Sequence, residues 1–246
     1  MSETATATAA EKAAAKAGVR TLAIDIGGTG IKAIVLDEKG AATTERARVE
    51  TPQPATPDAI IRVIAELAAK QGEFDRVSVG YPGVVRNGKT ETAANLDKKW
   101  IGFDLEKALS KKLGKPARAC NDADVQGFGA VSGRGVELVI TLGTGLGAAL
   151  FVNGTLVPNL ELAHHPYRRG KTYEQMLGKK ALEKTGKKKW NKRVERAIEQ
   201  WEKLFNYDHL YIGGGNAKKI KFKLPPNAST VENVAGLLGG IALWRE

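Results

Sequence analysis

Apolar positions alternate with small or polar ones through residues 21–36, with Leu22, Ile24 and Ile26 before a break and Ile34 and Leu36 after it. A period of two with β-branched enrichment predicts strand, turn, strand rather than helix. The break is Gly27-Gly28-Thr29-Gly30. The pattern returns later, where Val136 to Leu142 and Ala148 to Val152 are predicted strands flanking Gly143-Thr144-Gly145-Leu146-Gly147. Helical periodicity takes over between these hairpins. Pro57 and Asp58 open a predicted helix to about Lys70, with Ile60, Ile61, Ile64, Leu67 and Ala68 as its apolar stripe. Further helices are predicted over 104–113, from an Asn121 cap to about Val131, over 171–206 in two or three pieces, and over 231–244 with small-residue contacts. Short strands are predicted from Arg76 into the Pro82-Gly83 turn, at Ala117 to Cys120 and at His209 to Ile212, and a hairpin over 84–95 turns at Asn87-Gly88. Strands and helices alternate to the end, which predicts an α/β fold. The glycine clusters fall at strand ends, the edge of such sheets where ligands collect.

Residues 1–18 break the pattern. They are Ala/Thr/Lys/Glu low complexity with no packing face and read as a disordered tail. The single cysteine, Cys120, excludes an internal disulfide and a multi-cysteine zinc site, and fits a reducing cytoplasm. No apolar run is long enough to span a bilayer, and the N-terminus lacks the apolar stretch of a secretory signal. The net charge of +11 in 246 residues calls for a reason. The basic residues gather late, in Lys179, Lys180, Lys184, Lys187, Lys188, Lys189, Lys192, Arg193 and Arg196, then Lys218, Lys219, Lys221 and Lys223. Such a run is either a solvated face or a seat for a polyanion. The absence of interleaved aromatics weighs against nucleic acid.

Three groups of residues carry candidate chemistry. In the glycine hairpins, backbone N–H groups can close around an anion, and Gly27, Gly28, Thr29, Thr144 and Gly145 are the candidate phosphate contacts. Lys32 can add a cation there, and Asp25 at the strand end can hold Mg²⁺ directly or through its water shell. Gly214, in the Gly213-Gly214-Gly215 cluster, reads either as a further phosphate contact or as a strand-to-helix turn. Asn121 and Asp122 stand where a strand gives way to a helix, and are either a capping pair or a cleft-facing pair in which Asp122 accepts a proton. Glu161 and His164 are three apart and share a side of any turn. A carboxylate and an imidazole can grip vicinal hydroxyls; as a Glu-x-x-His metal motif the pair lacks further ligands.

Taken together and in order, Asp25-Ile-Gly-Gly-Thr29, Asn121-Asp122-Ala123, Leu142-Gly-Thr-Gly-Leu-Gly147 and Glu161-x-x-His164 resemble the ROK family of sugar kinases and sugar-responsive repressors. The likeness runs from about residue 20 to the C-terminus. The stretches 92–104 and 188–194 look like the polyphosphate-using glucokinases of that family. The resemblance implies a two-lobed, actin-like (ribonuclease H-like) sugar-kinase fold around a cleft. One lobe would be 19–121 with 231–246, the other 122–230. It implies Asp122 as catalytic base, and Gly83, Asn95, Asn121, Glu161, His164 and Glu174 around the sugar. The family's zinc-binding cysteines are missing after His164, and Ala163 stands where the family usually has glycine, so His164 is expected to hold sugar without zinc. No helix-turn-helix precedes Thr21, which disfavours the repressor half of the family.

The expectation is therefore a cytoplasmic glucokinase making glucose 6-phosphate from inorganic polyphosphate, ATP or both, with Mg²⁺. No nucleic-acid or membrane partner is expected, and the family likeness suggests a homodimer. The competing readings are a strictly ATP-dependent glucose, mannose or fructose kinase of the same family, and a non-enzymatic sugar-responsive binding protein.

Overall fold

The computed structural model describes residues 18–94, 96–231 and 239–245. The tail read over 1–18 therefore lies outside the described residues, save Gly18. The first hairpin is β1 (Thr21–Ile26) and β2 (Ile31–Leu36), extended on one side by β3 (Ala47–Val49). Helix α1 (Pro57–Lys70) starts at a Thr56 cap and leads to β4 (Arg76–Tyr81), parallel to β1. A small antiparallel sheet follows, of β5 (Val85–Arg86), β6 (Lys89–Thr90) and β7 (Phe103–Asp104). Helix α2 (Leu105–Leu113) ends at Gly114, whose φ of 65° suits a residue without Cβ. Strand β8 (Ala117–Asn121) completes a sheet of order β3-β2-β1-β4-β8.

Helix α3 (Asp122–Phe128) crosses to the second sheet. That sheet holds β9 (Val136–Leu142), β10 (Leu146–Val152) and β11 (Thr155–Val157), a hairpin and its antiparallel extension. The small pair β12 (Pro166–Arg168) and β13 (Lys171–Thr172) precedes α4 (Tyr173–Leu177) and α5 (Lys179–Phe205). Strands β14 (His209–Gly213) and β15 (Ala228–Thr230) then give the order β11-β10-β9-β14-β15. The two sheets have the same sequence of pairings: two antiparallel, then two parallel.

Each sheet has its own core. Leu22, Ile24 and Val79 pack with Ile60 and Ile64 of α1 and with Leu105 and Leu109 of α2. Leu138, Ile140 and Ile212 pack with Trp190, Val194 and Trp201 of α5. Full burial of one such side chain contributes about 1.5–3 kcal/mol. Two indole N–H groups taken into these cores find carbonyls, Trp100 donating to Ala55 at 2.8 Å and Trp190 to Leu177 at 2.8 Å, whereas the buried Trp201 Nε1 has no partner among the described residues.

Several boundaries differ from the sequence pattern. Helix α3 stops at Phe128, short of Val131, where Gly127 and Gly129 interrupt it and Phe128 turns edge-on to Phe151 at 5.0 Å. Strand β10 starts at Leu146 because that residue already pairs with Leu142. The stretch 171–206 does fall into three pieces as the pattern predicts, α4 and the two helices of α5 that meet at Gly186 (φ 74°, ψ 159°). Within the predicted helix 231–244, residues 232–238 are outside the described set, and Gly239–Trp244 is a 3₁₀ helix. That turn lies against the first sheet. The Ser78 hydroxyl donates to the Gly240 carbonyl at 2.6 Å and accepts from the Trp244 indole at 2.8 Å. Arg118 and Arg76 flank the Trp244 ring, their guanidinium carbons 4.6 and 5.1 Å from its centroid.

Candidate active site

Helix α3 is wedged between the sheets, and glycines make the wedge fit. A Cβ on Gly80 of β4 would lie 3.3 Å from the Asp122 Cα, and one on Gly147 of β10 would lie 2.8 Å from the Ala123 Cβ. A Cβ on Gly239 would meet the Val125 carbonyl oxygen at 1.8 Å. The first turn of α3 is thereby held where the strand ends of both sheets converge.

Asn121 caps that turn, accepting from the Ala123 N–H at 2.8 Å, and its amide donates to the Gly83 carbonyl at 3.1 Å. The capping reading of Asn121 is what the geometry shows, so any sugar contact must share this amide. Gly83 is required by packing: a Cβ would come 2.7 Å from the Thr92 hydroxyl. Asn95 lies outside the described residues.

Asp122 follows, partly open and hydrogen-bonded at Oδ1 to the Ala123 N–H at 2.8 Å. Burial, then the negative charge of Asp25, push its carboxyl up to about 7; the Ala123 hydrogen bond opposes this, and Asp124 and Glu161 add to it. The first hairpin thus brings Asp25 close enough for its charge to act on Asp122.

In that hairpin Gly27 N–H donates to the Gly30 carbonyl at 3.0 Å, the Thr51 hydroxyl donates to the Gly27 carbonyl, and Thr29 is exposed at the tip with Gly28 beside it. Lys32, expected as a free cation for phosphate, is paired across the strands with Asp25 at 2.7 Å. The residue opposite Lys32 on β3 is Arg48, which the sequence pattern did not single out. Its guanidinium lies over the loop, since a Cβ on Gly30 would stand 2.9 Å from its Nε and Nη2.

The second hairpin is closed in the same manner, Gly143 N–H to the Gly145 carbonyl at 3.0 Å, with Thr144 exposed. Its carbonyls are engaged from behind. Lys179 N–H at the start of α5 reaches those of Gly143 and Thr144, and the Asn216 amide donates to Gly143 at 2.9 Å. Gly214 belongs to this support. Its φ is 85°, and a Cβ would strike the Leu142 carbonyl at 2.4 Å, so close backbone packing explains this glycine. Gly145 faces a carboxylate rather than open space: a Cβ there would lie 2.2 Å from the Glu174 Oε2. That oxygen also accepts the Leu146 N–H at 3.3 Å. Thr144 is thus the open hydrogen-bonding group of the loop.

Glu161 precedes a 3₁₀ turn (Leu162–His164) that returns His164 toward it, Nε2 to Oε2 at 3.3 Å. Burial raises the Glu161 carboxyl; His164 opposes this and Glu174 reinforces it. Glu161, His164 and Glu174 therefore form one polar cluster. Tyr167 fastens the hairpin beyond it, donating to the Arg193 carbonyl at 2.9 Å.

Two residues of the site carried no signal in the sequence pattern. Asp124 is wholly buried; its Oδ2 accepts the Asn159 N–H at 3.3 Å and its Oδ1 has no partner among the described residues. Burial pushes this carboxyl up to about 7. The side chain of Asn159 forms a double hydrogen bond with the backbone of Val85, both at 3.1 Å, tying the segment before Glu161 to the small sheet. Ordinary helix and loop positions become a brace only through partners distant in sequence.

The Asp25 carboxylate suits a hard divalent cation, which takes one or two protein carboxylates and completes its shell with water and phosphate oxygens. Asp25 keeps one carboxylate oxygen beyond the one paired with Lys32. No group of three or more His, Cys, Asp or Glu side chains placed to hold a metal occurs among the described residues. Among the described residues no helix is long and apolar enough to cross a membrane.

The profile of the ROK family matches residues 21–159. The chain is 36% identical over 233 residues to a polyphosphate glucokinase of Mycobacterium tuberculosis (strain CDC 1551 / Oshkosh), covering 88% of each chain. Its structure superposes with a TM-score of 0.83 on the inorganic polyphosphate/ATP-glucomannokinase from Arthrobacter sp. strain KM, at 34% identity, covering 93% of this chain and 100% of that one. A ROK family glucokinase from Streptomyces griseus, solved with glucose and AMPPNP, superposes with a TM-score of 0.78 at 21% identity, covering 91% and 98%, and shares the fold.

Proposed function

The chain belongs to the ROK family, and from that premise we propose that it phosphorylates glucose to glucose 6-phosphate with inorganic polyphosphate, ATP or both as donor. The observation that carries the reading is Asp122, a half-open carboxyl pushed up to about 7 between two glycine hairpins. A base of that strength is suited to take the 6-hydroxyl proton as the oxygen attacks the terminal phosphorus in line. Glu161, His164 and Glu174 hold sugar hydroxyls, with the Asn121 amide and Gly83 lining the same side. Thr29, Thr144 and the backbone N–H groups around Gly27 and Gly28 receive phosphate oxygens. Lys32 acts through Asp25 by holding its carboxylate in an ion pair, and Arg48, which makes no ion pair among the described residues, supplies a cation over the first loop. Mg²⁺ would be held by Asp25, directly or through water, and would neutralise donor charge. His164 works without zinc in this reading.

The lobes follow the two sheets: 19–121 with 231–246, and 122–230, with α3 at the junction. The family likeness suggests a homodimer, which sedimentation of the purified chain tests, and a site in the cytoplasm where glucose and donor meet. The deciding experiment measures glucose 6-phosphate formed from glucose with long-chain polyphosphate, tripolyphosphate or ATP. Turnover with polyphosphate is expected. Turnover with ATP alone would make the chain a strictly ATP-dependent ROK kinase. No turnover with any donor, alongside measurable glucose binding, would make it a sugar-binding protein.

A further inference from the structure

Away from the cleft, two basic segments that are separate in the sequence form one surface. Asn191 of α5 joins them and is itself 9% exposed. Its amide donates to the carbonyls of Lys187 at 2.9 Å and Lys219 at 3.1 Å, and its oxygen accepts the Lys221 N–H at 2.7 Å. This sets Lys221 beside α5, where Lys187, Lys188, Lys189 and Lys192 border an open hollow of about 420 Å³ at the Gly186 break; Lys187, Lys188 and Lys192 also line an adjoining hollow of about 400 Å³ with Lys221 and Phe222, and the two together make one groove. All five lysines are exposed, and among the described residues none makes an ion pair. Among the described residues, the one carboxylate lining this groove is Glu195. Like charges gathered by a buried amide repel one another at a cost, which an anionic occupant offsets.

The groove connects to the candidate active site through α5. That helix begins on the second hairpin, through the Lys179 N–H bonds to Gly143 and Thr144, and reaches the Gly186 break after about 10 Å at 1.5 Å per residue. Lys180 and Lys184 are exposed along the way. The face differs from the Lys189, Lys192, Arg193, Arg196 stripe that helical spacing alone suggests. Arg193 turns inward to the Met176 carbonyl at 3.2 Å, and Trp190 is wholly buried.

We propose that this lysine groove docks the distal phosphates of a polyphosphate chain whose reacting end lies at the glycine hairpins. The inference rests on the polyphosphate reading above. Polyphosphate fits better than a single-stranded nucleic acid, because Phe222 is the one aromatic side chain on the groove and stacking platforms use several. ATP ends in a nucleoside and has no further phosphates to place there.

The test is the triple variant Lys188→Gln, Lys192→Gln, Lys221→Gln. It is compared with the parent chain using polyphosphate of several tens of phosphates and using tripolyphosphate. The expected result is a KM raised on the order of tenfold or more for the long chain and less than about threefold for tripolyphosphate. By analogy with nucleic-acid binding, the salt dependence of long-chain affinity should flatten by roughly 2–3 in log–log slope, at about 0.7–0.9 per lost phosphate contact. An equal rise with both donors, or none with either, overturns the proposal. Direct binding of long polyphosphate to the unreacted parent and variant separates the two inferences. Equal binding by both removes the groove's role, whereas weaker variant binding without any parent turnover leaves the groove and removes the kinase reading.

Discussion

The two glycine hairpins stand on sheets of the same order and pairing sense, yet their equivalent positions do opposite things. One residue before the final cross-strand pair, the first sheet places Asp25 opposite Lys32 and the second places Thr141 opposite Gly147. The first pair is charged, joined at 2.7 Å, and acts on Asp122 through its field. The second is small, with Gly147 N–H donating to the Thr141 hydroxyl at 3.1 Å, and its missing side chain lets Ala123 press against β10. One hairpin tunes the Asp122 carboxyl and the other seats the helix that carries it. A shared backbone scaffold thus need not imply shared chemistry, because side chains on the cleft face decide what each loop contributes.

The largest expected effect is at the residue both hairpins serve. Asp122→Asn should keep the fold and glucose binding while kcat falls on the order of 10²-fold or more, the low end for loss of a general base. Near-normal turnover in a steady-state assay would remove Asp122 from the mechanism.

Next comes the cluster of Glu161, His164 and Glu174, proposed to hold the sugar. Glu161→Gln and His164→Ala should each raise KM for glucose by about 5- to 150-fold, the equivalent of a buried hydrogen bond worth about 1–3 kcal/mol. The donor KM should move far less; a parallel rise in both would place these residues elsewhere in the reaction. Elemental analysis of the purified chain should find no stoichiometric zinc.

The seating role is read from a pair of glycines. In Gly147→Ala the new methyl meets Thr141 Oγ1 at 2.6 Å and Ala123 Cβ at 2.8 Å. Overpacking of this kind typically costs about 1–3 kcal/mol, with turnover reduced as α3 shifts. Gly143→Ala in the same hairpin meets nothing within 4 Å, and its urea midpoint should barely move. Equal midpoints for the two variants would end the idea that Gly147 seats α3.

The tuning role is read from pH. The acid limb of kcat/KM should fall near pH 7, where Asp122 loses its proton. In Asp25→Asn the limb of the residual activity should move to lower pH, because the charge that raises Asp122 is gone. An unmoved limb would dismiss the coupling. The smallest effect is on stability. Asp122 and Asp124 both bind protons more tightly folded than unfolded, having carboxyls at about 7 against an ordinary 3.8. Their contribution is complete below about pH 4 and is lost as pH rises toward 7 and beyond. Urea titrations of Asp122→Asn should show a shallower decline over that window than the parent.

By itself, the sequence determined the hairpins and the alternation of strands and helices. Period-two patterning, glycine and the caps at Thr56 and Asn121 are local signals, and each acts within a few residues. Asp122 is singled out by the family resemblance, because its place between a strand and a helix fits a capping pair as well. Only the tertiary structure decided what the polar side chains meet. Lys32 is committed to Asp25, Arg193 to the Met176 carbonyl, and Gly214 to the Leu142 backbone. Arg48, Asn159, Asn191 and Asn216 gain their roles from residues across a sheet or dozens of positions away. The physical reason is range. Backbone preference and hydrophobic period are set by neighbours in the chain, whereas a hydrogen bond or a shifted carboxyl depends on distances that exist only once both sheets have packed around α3.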